Sequence, residues 1–293
     1  MSATLEFPSE HATVYHTAVG TPYLKQPGIV VLAQTATNLD GLRGFLEGYD
    51  GELGFSQYLE DNTANPLGCS ETLVKFAGQL CYMSLGAERT KNTDAYRYFD
   101  NLRTAHHGSV LEHASLSFLL YGVDRSFTHE LVRHRVGVAY SQVSQRYVDG
   151  KMLRFVERAE YQNDPVLHRL FEDWIDLSAD QYELRVNRLA QLQLDGSQIL
   201  SGEKKRDLRK KLNQAARACL PNEAEAPILM TANIRSLRHI VEMRASASAD
   251  IQIRNVAVRM LTMAQQCSNL LNDHTVAELQ DGTKAITTKT QKV

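Results

Sequence analysis

The residues best equipped for chemistry lie in one run, Arg133-His134-Arg135-Val136-Gly137-Val138-Ala139-Tyr140-Ser141-Gln142-Val143-Ser144-Gln145-Arg146-Tyr147. Three arginines and a histidine fall within fourteen residues of it, beside serine hydroxyls and glutamine amides. An arginine presents a rigid fork of donors that matches phosphate oxygens. Ser and Gln add neutral donors that read a sugar or a base without adding charge. The Arg-His-Arg triplet closes a predicted short helix, where its side chains diverge, so it can serve two neighbouring ligands. Alone, the triplet reads equally well as a solvated helix end. For the whole string that reading is much weaker.

Other chemistries fit less well. His129-Glu130-Leu131-Val132-Arg133-His134 approaches the zinc-protease pattern, which needs histidines four apart on one helical face. Here they are five apart, roughly 140° round the helix, so no metal site is expected. A net charge of −2 and the lack of a basic stripe argue against a nucleic-acid partner. No run reaches the roughly 18 apolar residues of a membrane helix, and the N-terminus shows no signal peptide. The four cysteines, Cys69, Cys81, Cys219 and Cys267, have neither metal-site nor disulfide spacing. A reduced, cytoplasmic protein is expected.

The run resembles the signature of the flavin-dependent thymidylate synthases: Arg-His-Arg, a spacer, Ser, and Arg two places on. Eight residues separate Arg135 from Ser144, one more than the usual motif, and the extra residue is assigned near Gly137. Three more blocks agree in order. His107-Gly108-Ser109-Val110-Leu111-Glu112-His113 resembles the family's His-x-Ser/Thr-x-x-Glu-His. Ala216-Arg217-Ala218-Cys219-Leu220-Pro221 resembles its Ala-Arg-x-x-Leu-Pro turn. Asn233-Ile234-Arg235-Ser236-Leu237 through Arg244 resembles its Asn-x-Arg-Ser/Glu-Leu helix. The likeness thins at Asp250 and Gln252, where members often carry a Gln and a Glu.

The resemblance implies an enzyme that converts dUMP to dTMP, with FAD as cofactor and NADPH and methylenetetrahydrofolate as co-substrates. A methylase of UMP or of another pyrimidine nucleotide is the alternative. Under this resemblance FAD is held by Ser109, Arg133, His134, Arg135, Gln142, Asn233, Arg235 and His239. The nucleotide is met by Glu130, Arg133, Gln142, Ser144, Gln145, Arg146, Arg217 and Arg244. Arg244 polarises the uracil ring, His107 stands near the flavin and the folate, and Ser144 completes the catalytic set. Ser144 has no adjacent base and acts as a binding hydroxyl, not a nucleophile. The flavin carries the hard step. A homotetramer with shared active sites follows from the same likeness.

These side chains need a scaffold. Gly28 to Ala33, Ser115 to Val123 and Met152 to Glu157 read as strands. Helices are expected at Glu71–Leu85, Ala95–Ala105 and Phe127–Arg135, and from Asp164-Pro165, with a cap and a first-turn proline. Further helices are expected at Glu203–Cys219, Ala232–Arg244 and Ala249–Leu271. Arg235 and His239 then share a helical face. Strands early and long helices late give an α+β (mixed α/β) class, and the resemblance adds a central, mostly antiparallel sheet flanked by long helices, the thymidylate synthase-complementing fold. Residues 1–70 read as an extension plus first strand, irregular up to 27 and with a surface excursion at 49–70. Residues 71–275 read as the catalytic domain and 276–293 as a polar tail, disordered from Asp281 to Val293. The stripe Leu167, Phe171, Trp174 reads as core or subunit contact, Cys81 as a small buried residue, and His11, His16, His168 and His274 as surface or capping residues.

Overall fold

The computed structural model describes residues 6–49, 54–55, 57–195, 205–291 and 293. Its centre is a five-stranded sheet in the order β1-β4-β5-β8-β6, built from β1 (Ser9–Glu10), β4 (Gly28–Gln34), β5 (Ser115–Tyr121), β6 (Val138–Gln142) and β8 (Ile228–Asn233). Every pairing in it is antiparallel. β5 and β8 alternate buried and half-buried residues, so Leu116, Phe118, Leu120, Ile228, Met230 and Ala232 point into one core. A second sheet joins β2 (Val14–His16), β3 (Pro22–Leu24) and β7 (Phe155–Val156), and β9 (His274–Glu278) pairs with β10 (Lys284–Thr288). No helix among the described residues is long and apolar enough to cross a membrane.

The helices are α1 (Arg43–Glu47), α2 (Gln57–Ala64), α3 (Cys69–Leu80), α4 (Ala95–Thr104), α5 (Arg125–Leu131), α6 (Pro165–Leu194), α7 (Lys205–Ala216), α8 (Ile234–Arg244) and α9 (Ile251–Cys267). Ile253, Val256, Met260 and Leu261 of α9 join the sheet residues in the main core, together with Leu237, Ile240 and Val241 of α8. Four of these helices start on side-chain caps: Asp124 accepts from Phe127 N, Asp164 from Val166 and Leu167 N, Asn233 from Ser236 N, and Asp250 from Gln252 N. Each cap satisfies a donor that the first helical turn leaves open.

Several expectations give way to this structure. Residues 1–27 contain β1, β2 and β3, and the 49–70 excursion contains α2 and the start of α3. Residues 232–233 end strand β8, so α8 begins at Ile234, not Ala232. α5 ends at Leu131, and β7 keeps only two residues of the expected 152–157 strand. The expected start of the α7 helix at Glu203 lies outside the described residues. Phe171 is core, and Leu167 and Trp174 are exposed on the single chain, so of the two readings of this stripe the core one applies to Phe171 alone. Cys81 is exposed rather than buried.

The expected disordered tail is the largest difference. β9 and β10 form a hairpin, and the chain around them is tied to the core by a buried ion pair. Arg238 of α8 has no side-chain exposure and donates from both terminal nitrogens to Asp273, at 2.6 and 2.8 Å. It also donates to the carbonyls of Leu270 and Thr290. Burial works to raise the Asp273 pKa, but Arg238, His274 and Thr290 outweigh it and hold the carboxyl well below the usual range. His274, expected at the surface, is buried against Asp273 and Glu242 (on α8). Burial opposes its charge, yet those two carboxylates raise its pKa. Breaking a buried pair from one side strands the other charge, which costs about 3–5 kcal/mol. Asp273→Ala should therefore lower the urea unfolding free energy at pH 7 by about that amount; a loss under about 1 kcal/mol would show that Arg238 finds another anion.

Candidate active site

The Arg-His-Arg triplet lies in the turn between α5 and β6. That turn is clamped on both sides. Tyr140 Oη donates to Leu131 O at 2.9 Å and Gln142 Nε2 to Thr128 Oγ1 at 3.1 Å, lashing alternate residues of β6 to α5. On the other side Ser236 Oγ donates to Val136 O at 2.7 Å, and Asn233 N to Gly137 O at 3.0 Å. Gly137 has φ +66°, and a Cβ there would stand 2.3 Å from both Asn233 Nδ2 and Ser236 Oγ. Only glycine supplies both the left-handed backbone and the close approach.

The clamp sets the triplet opposite α8 and opens a groove of about 450 Å³ between them. Arg133, His134 and Arg135 form one wall, Arg235, Ser236 and His239 the other, and Val136, Val138 and Ile240 give it apolar surface. A second groove of about 580 Å³ adjoins, with Arg235 in both; His107, Ser109, Cys81, Tyr82 and Tyr98 line it. Arg235 is steadied by Glu112, whose Oε1 accepts from Nη1 at 2.7 Å. Asn233, predicted beside these residues, caps α8 through its side-chain oxygen.

Arg244, at the far end of α8, joins the groove to the remaining residues. Its Nε donates to His134 Nε2 at 2.9 Å, its Nη1 to Glu130 Oε2 at 2.5 Å, and its Nη2 to Glu130 O at 3.1 Å. His134 is thus an acceptor. Burial, Arg244 and His239 lower its pKa to about 4, so it is neutral near pH 7. Its ring meets that of His239 edge to face at 5.5 Å.

A second cation group lies after β6. Ser144 heads a tight turn in which its carbonyl accepts from Tyr147 N and Val148 N. Gln145 is buried and Arg146 donates from Nε to Gln214 Oε1 of α7 at 3.0 Å. Arg217 faces Arg125, whose pKa is lowered by burial and then by that neighbouring guanidinium. Arg125 was not anticipated from the sequence. The signal was there: a cation in the first turn of a helix opposes the helix dipole and asks for a nearby anion. Among the described residues Arg125, Arg133, Arg135, Arg146 and Arg217 have no ion-pair partner. No group of three or more His, Cys, Asp or Glu there could hold a metal.

Unpaired guanidiniums, the neutral His134 imidazole and apolar walls on a mixed α/β scaffold form a site suited to phosphorylated, aromatic ligands. The comparisons give this class a family. The family profile described as "Thymidylate synthase complementing protein" matches residues 66–268. The flavin-dependent thymidylate synthase of Mycolicibacterium gilvum (strain PYR-GCK) is 40% identical over 220 residues, covering 73% of this chain and 84% of the relative. That of Mycobacterium tuberculosis (strain ATCC 25618 / H37Rv) is 39% identical over 217 residues, with the same coverage of 73% and 84%. The UMP/dUMP methylase PolB of Streptomyces cacaoi, solved with 5-Br dUMP, shares the fold at a TM-score of 0.55 and 16% identity, over 84% of this chain and 93% of its own. The chain belongs to the flavin-dependent thymidylate synthase family.

The His134 environment has a measurable consequence. Its folded pKa of about 4 lies below the ordinary 6.5, so between these values the unfolded chain binds more protons. The stability it contributes is present above pH 6.5 and is lost as pH falls toward 4. His134→Gln, which keeps an acceptor but cannot titrate, should lose less melting temperature than the wild type between pH 6.5 and 4.5. The difference should be about 2–4 °C by calorimetry; parallel curves would refute the shifted pKa.

Proposed function

We propose that the protein methylates C5 of dUMP, taking the carbon from methylenetetrahydrofolate with a flavin reduced by NADPH. The observation that carries this reading is Arg244, which reaches the groove through His134 and is held against α5 by Glu130. The net balance is dUMP, methylenetetrahydrofolate, NADPH and a proton giving dTMP, tetrahydrofolate and NADP⁺; the C5 hydrogen of uracil leaves to solvent as a proton and a second solvent proton is taken up in exchange. The donor set fits FAD: Arg133, Arg135 and Arg235 supply charge for a pyrophosphate, and His134, Ser236 and His239 supply polar side chains beside apolar walls. When bound, the flavin supplies the hydride.

The chain's own residues bind and orient. Ser144, Gln145 and Arg146 take the nucleotide phosphate with Arg217 and Arg125. Gln142 reads the sugar or base. Arg244 donates to a uracil carbonyl, stabilising negative charge on the ring, and Glu130 fixes its fork. Neutral His134 orients Arg244 without adding a competing charge. His107 and Ser109, in the adjoining groove, face the cofactor and the folate. Both grooves are open in a single chain, which supports a homotetramer whose neighbours complete each site. A cytoplasmic location accords with this role.

UMP is the second reading, because the fold is shared with a protein described as a UMP/dUMP methylase. The test is the visible spectrum of the purified protein with tritium release from C5-labelled dUMP, UMP running in parallel. We expect a flavin spectrum and release from dUMP. Arg244→Ala should retain flavin and lose about 10²–10³ in kcat. Release from UMP alone would move the substrate assignment, and absence of flavin would sink the proposal.

A further inference from the structure

Arg146 is the one unpaired arginine of the second cation group whose guanidinium is gripped by an uncharged side chain. Gln214 Oε1 accepts from its Nε at 3.0 Å. The bond decides which edge of the guanidinium is used: with Nε taken, the paired Nη1 and Nη2 groups at its tip stay free. Among the described residues neither has a hydrogen-bond partner. Two parallel donors at the tip suit two oxygens of one phosphate.

Gln214 can do this because α7 cannot rotate. Leu212, Asn213 and Ala216 are buried on its inner side. Lys210, Gln214 and Arg217 follow at i, i+4 and i+7, one outward face. Lys210 Nζ lies 4.8 Å over the Tyr147 ring, and the Arg146 guanidinium lies 5.9 Å from the same ring. Two cations on one ring repel each other. Without the glutamine, Arg146 would swing away from Lys210 and its tip would lose its direction.

We infer that Gln214 is a positioning residue of the nucleotide site, holding Arg146 with its paired terminal nitrogens turned toward the ligand phosphate. This rests on the nucleotide reading above. The role acts on binding of the phosphate and leaves the reacting ring untouched.

The experiment uses the full flavin-loaded chain. Gln214→Leu keeps the bulk and removes the acceptor; because Gln214 is exposed, its melting temperature should match the wild type. A hydrogen bond to a charged group supports about a tenfold rise in KM and Kd for dUMP. The value of kcat at saturating dUMP should stay within about twofold. Binding of deoxyuridine, which has no phosphate, should not change. In an Arg146→Lys background, which lacks the Nε edge, Gln214→Leu should add nothing. An unchanged dUMP affinity, equal losses for dUMP and deoxyuridine, a fall in kcat, or additive losses in the double variant would each overturn the assignment. A wild-type protein that binds flavin but neither nucleotide nor nucleoside would overturn the nucleotide reading and this role together.

Discussion

An arginine with no solvent exposure must find its anion inside the protein, and Arg238 finds Asp273. This constraint sets the position of α8. The helix has two working faces. Arg238 and Glu242, one turn apart, face Asp273 and His274. Ser236 and His239 face the groove, and Arg235 stands between the two grooves. Because a helix is rigid and its faces are fixed at about 100° per residue, locking the inner face sets the direction of every outer residue. The N-terminal end of α8 presses on Gly137 and holds the triplet turn. Its C-terminal end delivers Arg244 to Glu130 and His134. One helix thus connects the hairpin after α9, the groove and the end of α5.

The charge balance is local. A chain of net charge −2 has no general pull on anions, yet five arginines around β6 and the ends of α5 and α7 have no acidic partner among the described residues. Several scaffold arginines are neutralised: Arg154 by Glu225, Arg158 by Glu160 and Asp250, Arg259 by Glu10. What sets the site apart is that its unpaired arginines gather around one strand and the helix ends beside it, whereas those of α6 (Arg169, Arg185, Arg188) are spread along a helix. Unpaired like charges strain the folded chain, and such conflicts concentrate where ligands bind. Two features soften the strain here. Burial and the neighbouring Arg244 guanidinium keep His134 neutral, and Glu130 and Glu112 steady Arg244 and Arg235.

How much was legible follows from which signals are local. The Asp164-Pro165 start of α6 was readable because a cap and a first-turn proline act within four residues. The arginines of the 133–146 run were readable as a cluster because they are close in sequence. β6 was missed because Val138–Gln142 mixes small and polar residues, and its strand state comes from pairing with β8 and from ties to α5. The start of α8 was misplaced because the strand residues of β8 take their state from the neighbours β5 and β6. His274 looked like a surface residue because its carboxylate on α8, Glu242, lies 32 positions away. Gln214 and Arg146 are 68 residues apart, and no spacing rule joins them. Cys81 was misjudged for the same reason: the groove that exposes it is lined by α3, α4 and α8 together.

Asp250 departs from the family pattern, and the structure gives it work in the scaffold: it caps α9 and pairs with Arg158 at 2.7 Å. It stands outside both grooves and outside the unpaired arginines, so this departure leaves the anion chemistry intact. Under the nucleotide reading, the arginine group reads a phosphate that dUMP and UMP have in common. Choice between them falls to whatever meets the 2′ position of the sugar. An apolar wall rejects an added hydroxyl by only about 10², whereas a polar group bonded to that hydroxyl would discriminate far more strongly in the opposite direction. Strong preference for UMP would therefore require a dedicated polar partner, while preference for dUMP needs only close packing. Under that reading the cations would attach either nucleotide alike, so the specificity has to come from uncharged contacts at the sugar.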